Sequence, residues 1–193
     1  MEINDVIKQV ATYLQMSNVT GANLENVENL DTQTVRDINL ILSCINEVLC
    51  DISTDYLPLK ASEEITVLNG EFSLSGLSQD FHKLISISPN LPHVIRQNTL
   101  YVDSGTYSVE YQYLPEVYEV GDTIEDFDTR LTIYALSFGV AAEFCLISGN
   151  YSESEMWNSR FESAMQVAKR RNLVNLKGRK WLWKKPNIQR PQL

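Results

Sequence analysis

Apolar residues recur at three- and four-residue steps towards both ends of the chain and at two-residue steps in its middle. Ile3, Ile7, Val10 and Leu14 place one stripe on a first helix over 3–14. Residues 17–30, SNVTGANLENVENL, are polar and rich in turn formers, which predicts a connection. A second helix follows over 31–53, marked by Val35, Ile38, Leu42, Ile45, Leu49 and Ile52. Asp31 or Thr32 caps it by accepting from the free backbone amides of its first turn. At about 1.5 Å per residue this helix spans roughly 30 Å.

Pro58 breaks that pattern, and the period is two over residues 60–115. Asn69-Gly70 suits a two-residue turn whose central residues both take positive φ, so Glu64–Leu68 and Glu71–Leu74 predict a hairpin. Further strands are predicted at Lys83–Ile87, His93–Arg96, Thr99–Val102 and Thr106–Tyr113. The last of these sets Tyr107, Val109, Tyr111 and Tyr113 on one face. Beyond Pro115 a third helix is expected over 124–147, capped by Thr123 with Asp126 three residues on. Its middle is apolar nearly all round, which predicts a place at the centre of a bundle. Gly149 and Asn150 stop it. Ser152-x-x-Glu155 predicts a capping box for a fourth helix over 152–171, with Trp157, Phe161, Ala164, Met165 and Ala168 as its buried stripe. Residues 172–193 contain Pro186 and Pro191 and read as extended. The expected fold is α+β: one domain over 1–171, mainly a four-helix bundle with an antiparallel β insertion between its second and third helices, and a basic tail over 172–193.

With 193 residues, a core can form without a disulfide or metal staple. The apolar run from Leu131 to Ile147 is interrupted by Thr132, Ser137 and Glu143. It falls short of the ~20 residues a membrane span requires. The opening MEINDVIKQV lacks the pattern of a secretory signal. Cys44, Cys50 and Cys145 each lie in an apolar helical pattern, which predicts reduced core thiols and assembly in a cytoplasm. Charge is distributed unevenly. Residues 1–162 hold all 25 acids and 7 bases, net −18, whereas residues 163–193 hold 9 bases and no acid, net +9. Such a body repels DNA, and such a tail seeks an acidic or phosphate partner.

Signatures of chemistry are few. The chain contains no phosphate-cradling G-x-x-x-x-G-K, no G-x-G-x-x-G, no H-E-x-x-H, no C-x-x-C and no G-x-S-x-G. His82 and His93 have no Cys or carboxylate at metal spacing beside them and read as surface or strand-edge residues. Asp122, Glu125, Asp126 and Asp128 crowd the expected start of the third helix, as Glu153 and Glu155 crowd that of the fourth. Paired carboxylates can hold Mg²⁺ or cleave glycosides, but they also complement a helix dipole, and that reading is preferred. The expectation is therefore of no catalytic residue, no metal and no cofactor. The tail differs, since Lys177, Arg179, Lys180, Trp181, Trp183, Lys184, Lys185 and Arg190 interleave base and indole. Desolvated tryptophans dominate binding hot spots while bases steer encounter, so these residues are the predicted docking site. Phosphate contacts and base stacking would use the same groups, which keeps a nucleic-acid-binding arm as the alternative.

Three stretches resemble the head-to-tail adaptor (connector, head-completion) proteins of tailed bacteriophages, including the tail-tubular-A-like adaptors of short-tailed phages. The first is the long second helix ending in Asp55-Tyr56-Leu57-Pro58-Leu59. The second is the tyrosine-rich strand ending in Tyr113-Leu114-Pro115, followed by acids and the apolar Leu131–Ile147. The third is Gly149-Asn150-Tyr151-Ser152 leading into Trp157–Met165. The resemblance implies a non-enzymatic virion protein that forms a ring, typically of twelve copies, at the phage neck. It implies a portal protein as partner through Lys177–Arg190, and tail or neck proteins as further partners. DNA would pass through the ring without sequence-specific binding, and no membrane would be involved. Assembly would take place in the host cytoplasm.

Overall fold

The computed structural model describes residues 1–127 and 129–174, with side chains as far as Arg170. The chain mixes helices with two small antiparallel sheets. In order it forms α1 (Ile3–Tyr13), α2 (Ser17–Thr20), a 3₁₀ turn (Leu24–Asn29) and α3 (Thr32–Asp51), which continues as a π-helical turn over Ile52–Tyr56. Strands β1 (Leu59–Val67), β2 (Glu71–Ser73), β3 (Phe81–Ser88), β4 (Val94–Arg96), β5 (Thr99–Tyr101) and β6 (Gly105–Tyr113) come next. Helices α4 (Ile133–Ile147) and α5 (Tyr151–Val174) close the described chain.

Asp31 caps α3 as its position predicts, accepting from the amides of Gln33 and Thr34 and from the Thr34 hydroxyl at 2.6 Å. The buried side of α3 is wider than the expected stripe, because Ile41, Cys44 and Val48 are buried along with Ile38, Ile45 and Leu49. Helix α1 buries Ile3, Val6, Ile7, Val10 and Ala11. The connection expected over 17–30 contains helical turns of its own, and these bury Val19 and Leu24.

The sequence pattern locates the strands well but not their pairing. Asn69 and Gly70 both take positive φ, at 56° and 82°, as their turn requires. Across that turn, however, only a single bridge forms, between Leu68 and Glu71. Strand β1 instead pairs along its whole length with β6, and β3 flanks β6 on the other side, giving the order β1-β6-β3. Strand β2 pairs with β5 in the second sheet, of order β2-β5-β4. The physical reason is burial. Pairing with β6 sets Ile65 opposite Tyr107 and lets Val67, Tyr107, Val109 and Tyr111 share an apolar cluster with Leu74 and Leu100. This cluster is separate from the two to which the helices contribute.

The third helix corrects the reading of its start. It begins at Ile133, capped by the Thr132 hydroxyl accepting from the Ala135 amide at 3.3 Å, and not at Ile124 with Thr123 as cap. The backbone of 122–124 is already engaged with the N-terminus. Ile3 N–H donates to Asp122 O (2.9 Å), Ile124 N–H donates to Met1 O (2.8 Å), and Glu2 bridges Thr123. Residues held in that extended bridge cannot also wind a helix. Helix α5 likewise starts one residue ahead of Ser152, so Ser152 lies inside the first turn, and it runs on to Val174, three residues into the stretch that the sequence pattern places in the tail.

Helix α4 packs against α1, α3 and α5. Gly139 permits the close approach: a Cβ there would lie 2.8 Å from Val48 and 2.9 Å from Phe161. Its end is a Schellman motif, with Gly149 at φ 79°, Gly149 N–H bonded to Leu146 O and Asn150 N–H to Cys145 O. On α5, Trp157, Phe161, Met165 and Ala168 are buried as expected, while Ala164 of the expected stripe is half-buried.

Candidate functional site

The predicted docking residues Lys177, Arg179, Lys180, Trp181, Trp183, Lys184, Lys185 and Arg190 lie outside the described residues. The structure does define the ground from which they emerge. The π-helical turn after α3 carries Tyr56 onto α5, where its hydroxyl donates to Glu162 Oε1. Phe161 meets the Tyr56 ring edge-on at 5.5 Å, and the Lys169 ammonium sits 4.4 Å from its centroid. Burial, together with the adjacent Glu162 carboxylate, pushes the Tyr56 phenol up to about 12. The C-terminal half of α5 is thereby clamped to the end of α3. Glu162 is the last acid of the chain, and Lys169 begins the run of bases that continues into the tail. The sequence singled out Tyr56 only as part of a boundary, since nothing in its spacing shows that residue 162 lies beside it.

The acids near residues 122–128 have different work from the one expected. With α4 starting at Ile133, they do not lie in its first turn. Asp122 Oδ2 accepts from Glu119 N–H at 2.7 Å and Asp126 Oδ2 accepts from the Tyr118 hydroxyl at 2.6 Å; Asp128 lies outside the described residues. Tyr118 is buried, and burial followed by the Asp126 hydrogen bond raises its phenol well above the usual range. Asn46 of α3 pins this segment by pairing with both the N–H and the C=O of Tyr118, at 2.9 and 3.0 Å. A second acidic group faces across α3 and α4. Burial, then repulsion from Glu47 and Asp51, raises the Glu143 carboxyl. The Asp51 carboxyl is raised by burial and then by Asp55.

The thiols are free, with Cys44 and Cys145 buried and Cys50 half-buried. Burial foremost, then Glu143 and Glu47, pushes the Cys44 thiol up to about 12, which suppresses its nucleophilic form. His82 and His93 are exposed, on β3 and just before β4. Among the described residues no group of three His, Cys, Asp or Glu side chains is placed to hold a metal ion. Among them, too, no helix is long and apolar enough to cross a membrane.

Two clefts open on the surface. Tyr13, Phe138 and Trp157 stack with centroids 5.0–5.9 Å apart, and the Arg160 guanidinium lies 4.9 Å over the Trp157 ring. Beside them is a cleft of about 420 Å³ that includes Leu14, Glu153 and Met156 in its walls. On the second sheet, Val94, Arg96 and Tyr101 line a cleft of about 350 Å³. No protein-family model and no curated protein matches this chain.

Proposed function

We propose that this chain is a structural subunit of a phage neck: a ring-forming adaptor that joins the portal of a DNA-filled head to the tail and continues the DNA channel. The observation that carries the reading is the separation of charge. The body through Glu162 bears −18, so at least that many of its carboxylates have no base of the body to pair with. A wall of this sign keeps DNA sliding, because it offers phosphates no counter-charge. The bases gather instead on the last turns of α5 and beyond. There Lys177, Arg179, Lys180, Lys184, Lys185 and Arg190 flank Trp181 and Trp183, a composition suited to docking on an acidic partner such as the portal. In this reading α1, α3, α4 and α5 act as one four-helix bundle, the β sheets project from it, and the subunit catalyses nothing. Its place is the head–tail junction of the virion.

The test is negative-stain electron microscopy of the purified chain mixed with the portal protein of its own genome. The full chain is compared with one ended at Val174. Rings capping the portal only with the full chain support both the adaptor role and the docking segment. Absence of association in either case sinks the reading. Salt-dependent DNA affinity of the full chain, lost with the truncation, would favour a nucleic-acid-binding arm instead.

A further inference from the structure

Two exposed apolar surfaces of this chain differ in local charge. The first lies on β4, an edge strand of the second sheet. Val94 and Arg96 share one face of it, Tyr101 of β5 stands opposite Val94, and these three line the cleft described above. Val94 is 49% and Tyr101 38% exposed, although both are large and apolar. From Phe81 to Val102 the chain has no acid, while it carries Lys83, Arg96 and two histidines. Glu71, opposite Tyr101 on the far strand β2, is the carboxylate of that cross-strand row.

The second surface is the corner between α4 and α5. Ile147 is 53% and Tyr151 70% exposed, with Leu146 and Met156 nearly half exposed beside them in sequence. From Leu131 to Ser159 the chain has no base, and Glu143, Glu153 and Glu155 are its acids. Where exposed apolar side chains form a contiguous patch, the surface is suited to contact.

We infer that these surfaces bind each other between copies: the β4 face of one subunit, with Arg96, seats on the α4–α5 corner of the next, with Glu153 and Glu155. Charge complementarity selects the occupant, because on an acidic chain the corner repels most of a second copy, whereas the β4 edge carries Arg96 in a stretch without acids, and the nearest carboxylate of its row, Glu71, stands two strands away. The contact is made by side chains and not by strand addition. Strand β4 is three residues long and follows Pro92, a combination that discourages edge-to-edge pairing. Joining two different patches is a head-to-tail contact, which repeats until the rotation closes. That it closes into a ring and not a filament rests on the adaptor reading above.

Light scattering coupled to size exclusion tests this on the full chain over a range of concentrations, at about 50 and about 500 mM salt. The chain should assemble beyond a dimer, with weaker association at high salt. Val94→Asp with Arg96→Glu disables the strand face, and Ile147→Lys with Glu155→Lys disables the corner. All four positions are exposed, and circular dichroism checks the fold. Each double variant alone should self-associate at least about tenfold more weakly. Mixed together they should form 1:1 dimers and nothing larger, since one interface survives in the pair. A chain that stays monomeric at all concentrations overturns the inference, as does a corner variant that still self-associates. Loss of association on ending the chain at Val174 would assign the corner to the basic tail and overturn it as well. Portal capping by a chain that is monomeric alone would leave the adaptor role standing without it. Self-assembly without portal capping would do the reverse.

Discussion

Glu143 lies half-buried on α4 opposite Glu47 and Asp51 of α3, and its carboxyl titrates above the usual range because burial and like charge both disfavour ionisation. Its folded-state pKa exceeds the unfolded one, so ionisation costs stability. The penalty is absent below the unfolded value near pH 4, grows as pH rises, and is complete above the folded pKa. Glu143→Gln should therefore stabilise the chain at pH 7, with the gain vanishing below about pH 4 in thermal melts run across pH. Ser137 presents a different case. Its hydroxyl is fully buried on α4 and has no hydrogen-bond partner among the described residues. Ser137→Ala removes that desolvated group and should raise stability by about 1 kcal/mol in denaturant unfolding. Both residues were read from the sequence as interruptions of an apolar run. That was enough to argue against a membrane span, but the acids facing Glu143 lie on another helix and left no trace in the spacing.

At the scale of elements, the long segment between β6 and α4 shows how an irregular stretch is held. Asn46 imitates a strand neighbour by satisfying both backbone groups of Tyr118, and the chain's first residues pair with 122–124. Asn46→Ala leaves both groups of Tyr118 without that partner and should cost about 2 kcal/mol. Amide hydrogen exchange at Tyr118 should rise with it, which separates loss of the clamp from general loosening. Caps and turns written in adjacent residues were legible: Asp31 before α3, Asn69-Gly70, and Gly149 after α4. The start of α4 was not, because Thr123 and Asp126 carry the same local signal as a cap, and the competing partner is Met1, more than 120 residues away.

For the whole molecule the governing quantity is charge. Ending the chain at Val174 leaves 25 acids and 10 bases, net −15, against −9 for the full chain. Self-repulsion of this size destabilises the compact state and is screened by salt. The melting temperature should thus rise between about 50 and about 500 mM salt, and rise further in the truncated chain than in the full one. An equal rise in both would show that the tail does not neutralise the body. The sequence by itself determined the alternation of helix and strand, the Asp31 cap, the turns at Asn69-Gly70 and Gly149, and the split of charge, because each depends on residue type and near-neighbour spacing. Tertiary structure alone decided that β1 joins β6 and not β2, that Tyr56 meets Glu162, and that the acids near residue 122 close a loop instead of opening a helix. Those outcomes are set by which distant surfaces bury best together, and periodicity along a chain carries no record of what lies across from it.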